Sequence, residues 1–225
     1  MADLRTTLDG ANTDGTDAFL TPGALRQPAD ALGPRAQRTI AQIMEATRDV
    51  FLTRGYAGTT IDEIARVADV SRASFYTYFP SKRAVLIAIG ANSASESIAK
   101  IARLETEGTT RAGLLGWVTD YFEFLDIHGS FAFAWTQAAQ EDEEIRVVGM
   151  KRHLRICRDF GKLLAASAGK QADDPTVLGI AASSVLERSW NYQHLYADTI
   201  DREPVLQQVT QSLWAMARQS GTSRR

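Results

Sequence analysis

Residues 60–82 read TIDEIARVADVSRASFYTYFPSK, and they hold the side chains best placed to do chemistry. From Ser71 onward, Phe75 and Phe79 share one helical face at i, i+4, while Arg72, Ser74, Thr77 and Tyr78 share the other. A short helix with a small, polar, singly basic outer face suits the major groove of DNA. Arginine donates bidentately to guanine, and Ser, Thr and Tyr hydroxyls bond base edges or phosphates.

The flanking residues supply the elements that would hold this face in position. Thr60 and Glu63 form a capping box at the start of a helix whose Ile61, Ile64, Ala65 and Ala68 fall on one side. Asp69-Val70 makes a turn, Ser71 is the next N-cap, Pro80 stops that helix and Ser81 caps another. Two short helices joined by such a turn make a helix-turn-helix. The same spacing also fits a helical hairpin whose polar face meets only water.

The residues also carry a resemblance. Phe51, Gly55-Tyr56, Thr59-Thr60-Ile61, Ile64-Ala65, Ala68, Val70-Ser71, Tyr76, Phe79, Ser81-Lys82 and Leu86 stand in the order and spacing of the TetR (tetracycline-repressor) family's N-terminal domain. The match runs without a gap from Arg38 to Ile89. It departs from the family at two positions. Asp69 stands where the family usually has Gly, although Asp tolerates the left-handed backbone. Ala73 stands where Gly is frequent, which alters how closely that backbone can approach DNA. The resemblance implies DNA contacts from Thr60, Ser71, Arg72, Ala73, Ser74, Tyr76, Thr77, Tyr78 and Lys82.

Charge is distributed unevenly. The net charge is −2. Residues 1–33 hold five acids and two Arg, residues 34–90 hold eight basic and five acidic residues, and residues 91–225 hold fifteen basic and seventeen acidic. The helix-turn-helix thus lies in the net-positive segment, as a phosphate-binding surface requires. A Lys in the first turn of a helix, as Lys82 is, opposes the helix dipole and makes sense if a phosphate sits there.

The rest of the chain reads as helices. Residues 1–33, rich in Gly, Pro, Asp and Thr, read as a mobile tail. Pro34 opens the first helix, whose stripe is Ile40, Ile43, Met44, Thr47, Val50 and Phe51, with Gly55 at its end. A fourth helix runs from Ser81 toward Leu104. Five more helical patterns follow: Thr110 to Ile127, ended by His128-Gly129; a short segment Phe131–Trp135; Glu141 to Ser167; one opened by Pro175; and one over Val205–Ala217. Lys151, Arg155, Arg158 and Lys162 form a solvated basic face. The expected fold is all-α, about nine helices. It divides into a three-helix head over 34–90, a ligand-binding and dimerisation domain over 91–217, and a frayed tail over 218–225.

Catalytic chemistry is absent from the pattern. No phosphate loop, nucleophile elbow or metal-ligand spacing occurs. His128, His153 and His194 lack a telling partner, and the single Cys157 sits on an apolar helical face, where Cys is usually a small core residue. No enzyme activity, metal or cofactor is expected. With 44% hydrophobic residues, no bilayer-length apolar run and no signal core, the chain reads as a cytoplasmic protein without a membrane partner.

Aromatic residues crowd the second half. Trp117, Tyr121, Phe124, Phe133, Trp135 and Trp190, with Met150, His153, Cys157 and Asn191, are candidates to line an apolar cavity, and Asp120 and Gln137 are further polar anchors. Taken singly, each fits an ordinary core equally well. The family resemblance implies a small-molecule effector in that half and a homodimer built by the last two helices. The expected function is a regulator that binds double-stranded operator DNA and is released by a small apolar or amphipathic effector. The alternatives are an activator, a corepressor-dependent regulator, or a helical protein-interaction module of the same fold.

Overall fold

In the computed structural model, residues 32–223 are described. Eight helices occur among them: α1 (Pro34–Gly58), α2 (Ile61–Val67), α3 (Arg72–Tyr78), α4 (Lys82–Glu107), α5 (Arg111–Glu141), α6 (Glu143–Ser167), α7 (Pro175–Leu195) and α8 (Arg202–Gln219). The all-α architecture expected from the sequence is the one observed. No helix among the described residues is long and apolar enough to cross a membrane.

Local signals explain most helix starts. Thr60, Ser71, Ser81, Thr110, Asp142 and Asp174 each accept a backbone N–H of the first turn that follows. Each such cap is worth about 1 kcal/mol. The second half of the expected capping box is not made, because Glu63 turns instead toward Arg54, 3.4 Å away.

Three expectations are corrected. His128-Gly129 does not end a helix, and α5 runs on to Glu141, joining two expected patterns. Gly129 serves there as a space, since a Cβ would collide with the Trp190 ring. The chain after residue 218 is not simply frayed. Strand β2 (Thr222–Ser223) pairs antiparallel with β1 (Lys170–Gln171). Gly55 does not simply end the first helix either. It breaks α1 at φ 66°, ψ 175°, and one further helical turn follows. The tail expected over 1–33 lies outside the described residues except for Leu32 and Gly33.

Two apolar clusters hold the fold. One joins Ile43, Phe51, Ile64, Phe75, Phe79 and Leu86 of the first four helices with Ala134, Ala138 and Ile145 from α5 and α6. The other centres on Trp117, Phe122, Phe160, Leu186 and Leu213 from α5 to α8. The first cluster thus anchors α1–α3 directly on the C-terminal helices.

Candidate DNA-binding face and cavity

The turn between α2 and α3 is a Schellman motif. Asp69 adopts φ 52°, the left-handed region, while Val70 N–H bonds the Ala65 carbonyl at 2.9 Å and Asp69 N–H bonds the Arg66 carbonyl at 3.3 Å. Aspartate at this site therefore keeps the turn that glycine would make. Phe75 and Phe79 are wholly buried and fix α3 on its inner side. Thr60, Ser71, Arg72, Ala73 and Thr77 are exposed, and Ser74, Tyr76 and Tyr78 half-buried.

Besides the caps Thr60 and Ser71, three expected contact residues are already engaged. Arg72 Nη1 reaches both carboxylate oxygens of Asp62, at 2.6 and 2.7 Å, and its guanidinium lies 5.6 Å from the Tyr76 ring centre. Thr77 Oγ1 donates to the Ala73 carbonyl at 3.0 Å. Lys82 differs most from expectation. Its ammonium donates to the carbonyls of Tyr56 (2.6 Å) and Thr59 (2.9 Å) and sits 4.5 Å from the Tyr56 ring centre. Burial lowers its pKa, against a raising influence from Glu141. Two of its three donors thus fasten the end of α1 to the start of α4.

Gln137 completes that fastening. Its Oε1 accepts the Tyr56 N–H at 2.6 Å, and a Cβ on Gly55 would come within 2.5 Å of the same atom. The left-handed backbone at Gly55 exposes the Tyr56 N–H to α5, and only glycine leaves room for the amide.

Behind this junction α4, α5, α6 and α7 line a partly open cavity of about 620 Å³, within the usual range for small-molecule sites. Of the residues singled out in the sequence, Tyr121, Phe124, Trp135, Met150 and His153 line it. Trp117, Cys157, Trp190, Asn191 and Asp120 do not. Trp117 is stacked behind Tyr121 at 5.1 Å and donates to the Lys100 carbonyl at 2.8 Å. Cys157 is fully buried beside His153 and Ser183, and burial raises its pKa. Trp190 bonds Asp126 at 2.8 Å, Asn191 accepts from Arg188 at 3.3 Å, and Asp120 pairs with Arg103 at 2.8 Å. The Phe133 side chain lies outside the described residues.

Sequence reasoning missed several polar lining residues, among them Ser97, His128, Arg152 and Glu187. Tyr121 hydroxyl and Ser97 Oγ lie 3.0 Å apart, and burial raises the phenol's pKa. His128 Nε2 meets Glu96 at 2.9 Å, the ring stacks on Phe124 at 4.6 Å, and burial lowers its pKa despite that carboxylate. His153 lines the cavity on its exposed side, and desolvation by the protein around it lowers its pKa. Arg152 donates to the Ala91 carbonyl at 3.4 Å, and desolvation brings it to about 10. Glu187 of α7 lines the far end, and burial pushes its pKa up to about 7. The weak signal for Glu187 was its place, with Ser183 and Trp190, beside the stripe Leu178, Ala182 and Leu186.

Residues 43–89, spanning most of α1 to the first turns of α4, match the family model for bacterial regulatory proteins, tetR family. The chain carries the N-terminal domain of the TetR family. It is 33% identical to the HTH-type transcriptional regulator YuxN of Bacillus subtilis over 90 residues, which are 40% of this chain and 31% of that relative. With TcmR of Streptomyces glaucescens, another HTH-type transcriptional regulator, identity is 26% over 207 residues, covering 85% of this chain and 87% of the other. A TetR-family regulator from Mesorhizobium loti superposes with a TM-score of 0.62 at 17% identity, over 84% of this chain and all of that one. That last likeness is one of fold. The matched domain and these relatives support a helix-turn-helix DNA-binding regulator, in keeping with the face that α3 presents.

Proposed function

We propose that this chain is a homodimeric TetR-family repressor that leaves its operator when a small apolar or amphipathic molecule fills the cavity. Residues 34–90 act as the reading head and residues 91–217 as the sensing and dimerising body. In the head, Arg72, Ser74 and Thr77 read base edges, while Thr60, Ser71, Tyr76 and Tyr78 hold phosphates and Ala73 sets the approach of the α3 backbone. The lysine at 82 positions the head and has one remaining donor for phosphate.

One observation carries the link between sensing and release. Arg83, Trp135 and Thr136 line the cavity, and their chain neighbours Lys82 and Gln137 hold Tyr56 of the head. A molecule that moves α4 or α5 by a small amount therefore moves the head with it. Two heads of a dimer must sit about one DNA turn, ~34 Å, apart, so a tilt of α4 spoils the fit.

The test is operator affinity by fluorescence anisotropy, using a duplex selected from a random library, with a panel of apolar and amphipathic compounds added. Release by a compound that binds the cavity supports the repressor reading. Tightening by such a compound replaces it with a corepressor-dependent regulator. No selectable operator would leave a helical interaction module.

A further inference from the structure

The polar groups around the cavity are unequal. Toward the head, Arg83 pairs with Asp142 at 2.6 Å and Arg146 with Glu143 at 3.1 Å. Midway, Arg152 donates to the Ala91 carbonyl and His128 meets Glu96. At the far end, Tyr121 and Ser97 bond each other, and Cys157 lies against both His153 and Ser183. Among the described lining residues, Glu187 is the charged side chain that makes neither a hydrogen bond nor an ion pair.

We propose that the effector is a cationic amphiphile, an organic ammonium or guanidinium on an apolar body, with its charge seated on Glu187. This rests on the reading of the cavity as the effector site. A carboxylate in apolar surroundings is costly until it is paired, and a ligand cation supplies the missing partner. Burial already holds this carboxyl at about 7, and Arg188, on its own helix, is the cation that acts on it. Arg188 also engages Asn191 and lies 5.6 Å from the Tyr192 ring centre. Tyr121 and Phe124 line the same cavity, and aromatic rings attract cations. From Ser97 to Arg83 the lining follows α4 for roughly 20 Å at 1.5 Å per residue, room for an extended apolar body leading toward Trp135.

The competing chemistries are distinct. An anionic amphiphile would seat on Arg152, and a neutral one would bond the protonated Glu187. Three probes decide among them, each with one biphenylbutyl body and ending in trimethylammonium, its uncharged isostere tert-butyl, or carboxylate. Binding to the full-length protein is measured by calorimetry at pH 6 and pH 8.

The expected result at pH 8 is at least tenfold tighter binding of the trimethylammonium probe than of the tert-butyl probe, with E187Q abolishing that preference. The preference should fall by up to about tenfold from pH 8 to pH 6 as Glu187 takes up a proton. The titratable groups coupled to it are Tyr121 from α5, Cys157 from α6 and Arg188 on α7, and His128, Arg152 and His153 line the same cavity. The slope that remains in E187Q reports the two histidines. If the wild type prefers the carboxylate or tert-butyl probe, or if E187Q keeps the cation preference, the proposal is overturned while the cavity remains a binding site. If none of the three probes binds, the effector-site reading falls with it.

Discussion

Gln137 on α5 accepts the Tyr56 N–H of α1 at 2.6 Å, directly after the left-handed turn at Gly55. This bond ties the reading head to the cavity wall, since Thr136 and Trp135 line the cavity. Gln137→Ala leaves a part-buried N–H without its partner. The expected cost is about 1–3 kcal/mol in urea unfolding, together with a several-fold smaller change in operator affinity on adding a cavity ligand. A variant that keeps both full stability and full response would show the bond to be incidental.

Arg72 and Asp62 form an exposed pair in the free protein. Arg72→Ala should weaken operator binding by about 1–3 kcal/mol and relax preference at one base position. Asp62→Asn should act the other way, because the guanidinium no longer has to leave a carboxylate. Exposed pairs are worth about 0–1 kcal/mol, so the gain should be no more than about fivefold. Competition binding against single-base variants of the operator measures both.

The reading head was the most legible part of the chain because its determinants are local. Thr60 and Ser71 cap, Asp69 turns, and Phe75 and Phe79 bury, all within one short stretch. The C-terminal half was less legible because its determinants are tertiary. Gly129 looked like a helix end but makes room for Trp190, which is 61 positions further along the chain. Lys82 looked like a phosphate ligand by position, yet it bonds carbonyls brought near by the break in α1. Trp117 and Tyr121 are neighbours on one helix with the same pattern signature, and only the packing of α4 and α6 puts Tyr121 at the cavity and Trp117 behind it. Glu187 carries only the weak mark of its place beside an apolar stripe, where a charge ordinarily faces water.

Glu187 also makes stability depend on pH. Its carboxyl moves from an ordinary 4.5 to about 7 on folding, so between those values the folded chain holds a proton that the unfolded chain does not. Stability is therefore full below about pH 4.5 and falls as pH rises through 7, by on the order of 3 kcal/mol at pH 8. Glu187→Gln removes this dependence. Urea unfolding at pH 5 and pH 8 should show the variant gaining on wild type at the higher pH. An equal difference at both would mean that the carboxyl titrates normally.

Assembly should depend on α7. Val177, Ile180, Tyr192 and Leu195 are exposed apolar residues along it, Val177 at 61% and Leu195 at 62%, whereas Leu206, Val209 and Leu213 of α8 are spent inside the core. A patch of this kind marks an interaction surface. Ile180→Glu combined with Val177→Glu should give a monomer by light scattering at micromolar concentration, with operator affinity lowered at least tenfold. A double variant that stays dimeric would move the two-fold axis elsewhere.

The central claim is that filling the cavity and holding the operator exclude one another through α4, α5 and the Tyr56 anchor. The direct measurement is a two-way titration on one protein sample: operator affinity at rising concentrations of the trimethylammonium probe, and probe affinity with and without saturating operator. The account predicts that each weakens the other by the same factor, in the range of about 5–150-fold. Operator affinity that stays flat while the probe saturates the cavity would contradict it.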